Sequence, residues 1–169
     1  MDGYRRILVP TDLSPHAQLG VQRAAEFARA GKSKVLLLFV VEKAYFAPLS
    51  MVGQAPVTFR GEGDLLGETV EFGESRLKDL VQKHFAGIDV ESKVMVAASA
   101  AAGILDAAET FQPDLVVIAS HGRTGMMHLL LGSTAEKVVR HALGEVLVVR
   151  APGASAGVGA GAGKPTAKA

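Results

Sequence analysis

The chain has 169 residues, 49% of them apolar, with 18 Lys and Arg against 17 Asp and Glu and no cysteine. That is enough apolar sequence for one domain with a complete core, and the composition is neither disordered nor fibrous. The charge lacks the basic excess of a protein that grips nucleic acid, the more so because Lys164 and Lys168 sit in an acid-free tail, and the absence of cysteine excludes disulfides and thiolate metal sites.

Residues 6–10 (RILVP) read as a buried strand that Pro10 ends, since proline has no N–H for a ladder. No apolar signal core precedes it in MDGYRRILVP, and the longest wholly apolar run, 35–41, is too short to cross a bilayer. A cytoplasmic protein with no membrane and no nucleic-acid partner is therefore expected. Ser14-Pro15 pairs an N-cap residue with a first-turn proline, and Ala17, Val21, Ala24, Ala25 and Ala28 follow at helical spacing up to a stop at Gly31. Residues 34–41 (KVLLLFVV) form a second buried strand. The stretch 42–63 has no clear period and reads as a long loop. A second helix follows over 64–86, with Leu66, Val70, Leu77, Leu80, Val81 and Phe85 on its inner face. Gly67 and Gly73 weaken it by roughly 1 kcal/mol each relative to Ala.

A third strand spans 91–97 and a third helix 100–111, closed by Gln112-Pro113. A fourth strand covers 114–119, and a glycine-punctuated loop runs from Ser120 to Gly132. A fourth helix occupies 133–143, with Ala135, Val138, Val139 and Ala142 inward and Gly144 as its stop, before a fifth strand over 145–150. Residues 1–150 thus make one domain, and 151–169, rich in Gly and Ala, make a disordered tail that cannot bury enough surface to offset its ordering entropy. Strands alternating with helices predict an α/β fold, an open doubly wound five-stranded parallel sheet with helices on both faces. In such sheets ligands bind beyond the carboxyl ends of the strands, where strand order reverses.

The segment from Ala119 to Ala135 carries the most chemistry. Gly122, Gly125 and Gly132 allow positive φ and close backbone approach. Ser133 and Glu136 have the spacing of a capping box. A helix start offers free N–H groups and the positive end of a dipole, which suit a phosphate, and the Ser133 and Thr134 hydroxyls can add hydrogen bonds. An ordinary glycine-containing loop has the same spacing. Asp12, at the end of the first strand, can accept from a sugar hydroxyl or hold Mg²⁺ through water; it can equally cap the coming turn. His121 could line the pocket and Arg123 could neutralise a phosphate, although such residues more often serve structure or solvation. His16, His84, His128 and His141 have no metal-ligand spacing. The tail run 161–166 (GAGKPT) hints at a phosphate loop, but Val158 replaces its first glycine, Pro165 interrupts its end, and neither strand nor helix flanks it.

The run ASHGRTGMMHLLLGSTAEKVVRHALGEVLVVR, with RRILVPTDLSPHAQ and LLLFVVE before it, resembles the universal stress protein family over residues 4–150. Members that bind ATP carry a glycine, two residues, a second glycine, nine residues, a third glycine, then Ser or Thr. Gly122, Gly132 and Ser133 match at that interval; Ala119 stands at the first glycine, and Ala98 replaces another glycine after the third strand. A left-handed backbone at Ala119 would cost about 1 kcal/mol or more, an ordinary φ nearly nothing. The resemblance implies an ATP site, with Mg²⁺ on Asp12, drawn from Pro10, Thr11, Asp12, Val40, Ala119, His121, Gly122, Arg123, Thr124, Gly125, Gly132, Ser133, Thr134 and Ala135; Val40 would meet the adenine edge through its backbone. It also implies a homodimer, for which the apolar fifth strand (VLVV, 146–149) is the candidate edge. The function implied is a nucleotide-dependent switch in stress response; the alternative is a dimeric interaction module that binds no nucleotide. No nucleophile elbow, kinase loop, dinucleotide fingerprint or adenylylating pyrophosphate loop is present, so slow ATP hydrolysis is the most chemistry expected.

Overall fold

The computed structural model describes residues 3–43, 62–121 and 131–150, with backbone alone for 62–64. The elements run β1 (Arg6–Thr11), α1 (Ala17–Gly31), β2 (Lys34–Glu42), α2 (Glu62–His84), β3 (Val90–Ala97), α3 (Ala100–Phe111), β4 (Leu115–Ala119), α4 (Ser133–His141) and β5 (Glu145–Val149). The five strands form one parallel sheet in the order β3-β2-β1-β4-β5. This is the doubly wound architecture expected. Most of the expected 42–63 loop, residues 44–61, and the whole 151–169 tail lie outside the described residues; Glu42 closes β2, and residues 62 and 63 open α2.

The unbroken apolar runs of β1 and β2 follow from cover on both faces. Alternate residues Ile7, Val9, Val35, Leu37, Phe39 and Val41 pack with α1 and α2 in one core cluster. Their neighbours Leu8, Leu36 and Leu38 pack with α3 and α4 in the other. All five predicted inward residues of α1 are buried.

Several boundaries differ from the sequence reading. Pro10 does not end β1, which pairs with β2 in register through Thr11↔Phe39; its missing N–H falls where β1 has already parted from β4. Gly31 is not the left-handed stop of α1. That role falls to Lys32 at φ 54°, while Gly31 lets the helix end lie against Tyr4, whose carbonyl would be 3.0 Å from an added Cβ. α4 ends at His141, where Ala142 turns extended; Val139, expected inward, lies on the exposed side of α4, and Leu143, beyond the helix, is almost wholly exposed. The phenol of Tyr4 donates to Glu145 Oε2 at 2.6 Å, tying the start of β1 to β5. That hydrogen bond to a carboxylate holds the phenol's pKa above its ordinary value.

The two glycines of α2 differ in kind. Gly67 is exposed, with nothing near an added Cβ, whereas Gly73 is buried, and a Cβ there would come within 2.6 Å of the Phe39 ring. Gly67→Ala is expected to stabilise the protein by about 1 kcal/mol through helix propensity alone. Gly73→Ala is expected to destabilise it by about 1–3 kcal/mol through overpacking, despite the same propensity gain. Urea unfolding of the two variants checks the opposite signs.

At the ends of α1 and α2, Arg29 donates to the His84 carbonyl, and His84 Nε2 is buried without a hydrogen-bond partner among the described residues. Burial, then Lys83 and Arg29, lower the His84 pKa. The unfolded chain therefore binds the proton more readily, and stability should fall as pH drops through about 6.5 toward the folded-state value. His84→Gln should flatten that part of a plot of Tm against pH.

Candidate functional site

The sheet reverses its winding between β1 and β4, and there it opens. Registered pairing of the two strands covers only Ile7↔Leu115 and Leu8↔Val116, although β1 continues to Thr11 and β4 to Ala119. By contrast β1 pairs with β2, and β4 with β5, along their full described lengths. The parted carboxyl ends form the crevice in which doubly wound sheets take ligands.

On the β1 side the chain turns by using its own side chains. Thr11, buried, accepts from the Leu13 N–H at 3.1 Å, and Asp12 Oδ1 accepts from the Ser14 N–H at 3.0 Å. Between them Leu13 sits at φ 65°, a left-handed conformation uncommon for a bulky residue. Its side chain packs against the α1–α2 core, which compensates the backbone cost. α1 begins at Ala17 with His16 as its N-cap, two residues later than the expected start at Ser14-Pro15, because Ser14 lies in a preceding turn; its Oγ still accepts from the Ala17 N–H at 3.2 Å. Asp12 thus does serve its turn, with one carboxylate oxygen identified in that role and the residue half-buried at the crevice mouth.

On the β4 side, the Gly132 N–H donates to the Ser120 carbonyl at 2.8 Å and closes the segment 121–131 at its base. An added Cβ on Gly132 would lie 3.0 Å from that same carbonyl. Gly132 has φ −71° and ψ 152°, so close approach, and not a positive φ, is what requires glycine here. The expected capping box is not formed. Gly132 is the N-cap and has no side chain to offer, Ser133 is already the first helical residue, and Glu136 instead pairs with Arg140 at 2.9 Å. The first intrahelical bond runs from the Glu136 N–H to the Gly132 carbonyl, which leaves the N–H groups of Ser133, Thr134 and Ala135 without an intrahelical acceptor. α1 and α3 differ, because Ser14 and Ser99 each satisfy an early N–H of their own helix.

The remaining candidates divide. Ser133 is exposed and Thr134 half-buried, so both hydroxyls stand at the α4 start; Ala135 is core, and only its N–H could serve a ligand. His121 is half-buried and its Nδ1 lies 3.0 Å from the hydroxyl of buried Ser120. Pro10 lies within β1, and the Val40 side chain packs against the α3–α4 core. Gly122, Arg123, Thr124 and Gly125 lie outside the described residues. Among described non-glycine residues a positive φ occurs only at Leu13, Lys32 and Gln112, so neither Ala119 nor Ala98 carries left-handed strain. Sequence reading missed Leu13, because a leucine gives no sign that its position must be left-handed, and missed Ser120, whose carbonyl anchors the loop through its backbone alone.

The donor set suits an anion such as phosphate at the α4 start. Asp12 suits a divalent cation held by one carboxylate, substrate oxygens and water. Among the described residues no three His, Asp or Glu side chains gather to hold a metal alone, and no helix is long and apolar enough to cross a membrane.

The universal stress protein family matches residues 3–150. A universal stress protein of Methanocaldococcus jannaschii is 30% identical, over 88% of this chain and 84% of its own. The solved structure of a second protein from that organism superposes with a TM-score of 0.75 at 25% identity, covering 88% of this chain and 96% of the other. A universal stress protein of Archaeoglobus fulgidus, solved in complex with dAMP, shares the fold at 19% identity and a TM-score of 0.52, over 88% of this chain and 98% of its own.

The Thr11 hydroxyl is needed for the left-handed turn after β1. Thr11→Val keeps the shape but leaves the Leu13 N–H unpaired in a largely buried turn. It should lower the unfolding free energy by about 1–3 kcal/mol in urea titration.

Proposed function

This chain belongs to the universal stress protein family, and we propose that it binds ATP with Mg²⁺ in the crevice between β1 and β4, as a nucleotide-dependent switch in stress response. The observation that carries this reading is the uncapped start of α4, where Gly132 contributes no side chain and the N–H groups of Ser133, Thr134 and Ala135 precede the first helical hydrogen bond. These donors would take phosphate oxygens, with the Ser133 and Thr134 hydroxyls adding to them. Asp12 would hold Mg²⁺ or a ribose hydroxyl. The backbone of Val40, at the carboxyl end of β2, would read the adenine edge. His121, Gly122, Arg123, Thr124 and Gly125 would complete the phosphate side. The dAMP complex of the A. fulgidus protein supports an adenine nucleotide as the ligand class.

Asp12 follows β1 and the α4 start follows β4, the two strands that part, so a ligand bridging them would favour one relative placement of the two sides. A ligand that binds one arrangement better shifts the population toward it, which is all a switch requires. The proposal is of a binding protein that hydrolyses ATP slowly at most, in keeping with a sequence that carries no nucleophile elbow or kinase loop.

The same proposal includes a homodimer through β5. That strand ends the sheet, its residues Val146 to Val149 are only half-buried, and exposed Leu143 and Val139 flank it. An apolar sheet edge of this kind favours pairing with a second copy.

Calorimetric titration with ATP and Mg²⁺ tests the nucleotide reading. Binding should be saturable, and Asp12→Asn, which can still accept from the Ser14 N–H, should weaken it about tenfold with Mg²⁺ and little without. Ala119→Gly should bind within about twofold of the parent, since no backbone strain is relieved. Absence of heat at millimolar ATP would favour the interaction-module alternative. Light scattering at twice the chain mass is the expected result for the dimer.

A further inference from the structure

A second set of charges lies at the opposite end of the sheet. β3 is an edge strand, and its register Leu36↔Glu91 and Leu38↔Lys93 places Glu91 and Lys93 on the α3 side. There α3 covers β2 but leaves both side chains exposed. The angle between α3 and this uncovered strip is a cleft of about 190 Å³, lined by Arg6, Lys34, Lys93 and Glu91 over an apolar floor that includes Leu36 and Phe111.

The charges in this cleft do not balance. Lys34 Nζ is 3.7 Å from Glu91 Oε2, a loose pair between largely exposed groups. Lys93 has no ionic partner among the described residues. The Arg6 guanidinium lies 4.3 Å from the centre of the Phe111 ring, and its Nε donates to the Phe111 carbonyl at 2.7 Å. That bond satisfies a carbonyl at the α3 end, where the helix dipole would otherwise oppose an anion. It also holds the guanidinium in place while leaving its charge without a carboxylate. Asp114, close by, is turned to the backbone N–H groups of Arg5 and Arg6.

We propose that this cleft is a second binding site, distinct from the β1–β4 crevice, for a small oxyanion carrying two or more negative charges. Among the lining residues three cations face one carboxylate, with Asp114 nearby turned to the backbone, and the excess positive charge gives the field. The fixed guanidinium gives direction toward a carboxylate or phosphate, and Leu36 and Phe111 offer contact to an apolar part of the ligand. The alternative use of these charges is to keep an open sheet edge from pairing with another copy, which needs no ligand.

The test is residue-resolved NMR on the ¹⁵N-labelled full chain, titrated with pyrophosphate in one arm and citrate in the other at constant ionic strength. The expected result is saturable shifts of the Lys34, Lys93 and Phe111 amides with at least one probe, with the responding arm naming phosphate or carboxylate as the ligand group. Lys93→Glu should weaken this binding at least tenfold while sparing any response at residues 132–135. If Lys93→Glu fails to fold, Lys93→Gln should weaken it at least threefold. Prior saturation with ATP and Mg²⁺ should leave the cleft response unchanged, so loss of nucleotide binding and loss of this site are read separately. Shifts that rise linearly with both probes, that persist undiminished in the Lys93 variant, or that are confined to 132–135 would overturn the proposal.

Discussion

β1 and β4 pair as far as Leu8 and Val116, and beyond that point each is held by its other neighbour alone. This parting follows from the order of the strands. The crossovers through α1 and α2 carry the chain one way from β1, and those through α3 and α4 serve the other side, so the turn after β1 and the turn after β4 lead to helices on opposite faces. The gap between them is floored by sheet and bordered by the turn after β1 and the start of α4. The tip of β1 with Asp12, the end of β4 with Ser120, and the start of α4 all take their positions from it.

The two walls treat their backbone donors in opposite ways. After β1, the side chains of Thr11, Asp12 and Ser14 take up the N–H groups of Leu13, Ser14 and Ala17 in turn. That wall is self-satisfied, and the left-handed Leu13 is tolerated because both its N–H and its side chain are held. After β4, Gly132 spends its N–H on closing the loop and brings no side chain to the helix start. Helix donors left without an acceptor are costly unless water or a ligand meets them. Among the described residues the turn after β1 is self-capped, whereas the start of α4 has no side-chain cap.

Close contact, more than conformational freedom, explains the glycines at the packing seams. Gly103 lets α3 lie against Val40, and Gly73 lets α2 lie against Phe39; an added Cβ at either would enter the neighbouring side chain. Both neighbours are in β2, which like β1 contacts helices on its two faces. The helices are thereby pressed onto the sheet at fixed points, which sets where the carboxyl-end loops begin. Beyond β2 the cover is unequal. α2 packs against β3 on one face, while on the other α3 meets β3 only toward its carboxyl end, at Met95 and Ala97, and the charged strip of β3 at Glu91 and Lys93 borders the cleft next to Arg6. β1 therefore contributes to both ends of the molecule, Arg6 at one and Asp12 at the other.

The order and type of the elements were legible in the sequence, because local periodicity encodes them. Doubly buried runs such as 35–41 can only be central strands of a layered sheet, and the alanine spacing of α1 can only be a helix with one small, flat face. That Gly132 and Ser133 stand at the start of α4 was legible from their place between strand and helix. What the residues could not disclose depended on neighbours distant in the chain. Ser133 and Glu136 have capping-box spacing, yet the chain enters α4 from Gly132 because that glycine must reach Ser120. Val138 and Val139 both read as inward in the sequence, yet the packing of α4 buries Ala135 and Val138 and leaves Val139 exposed. Leu13 is left-handed because the strand before it and the core beneath it demand that turn. Periodicity is a property of the chain and survives in any fold that uses it, whereas caps, close approaches and unpaired charges are properties of pairs of segments, and tertiary packing alone brings those pairs together.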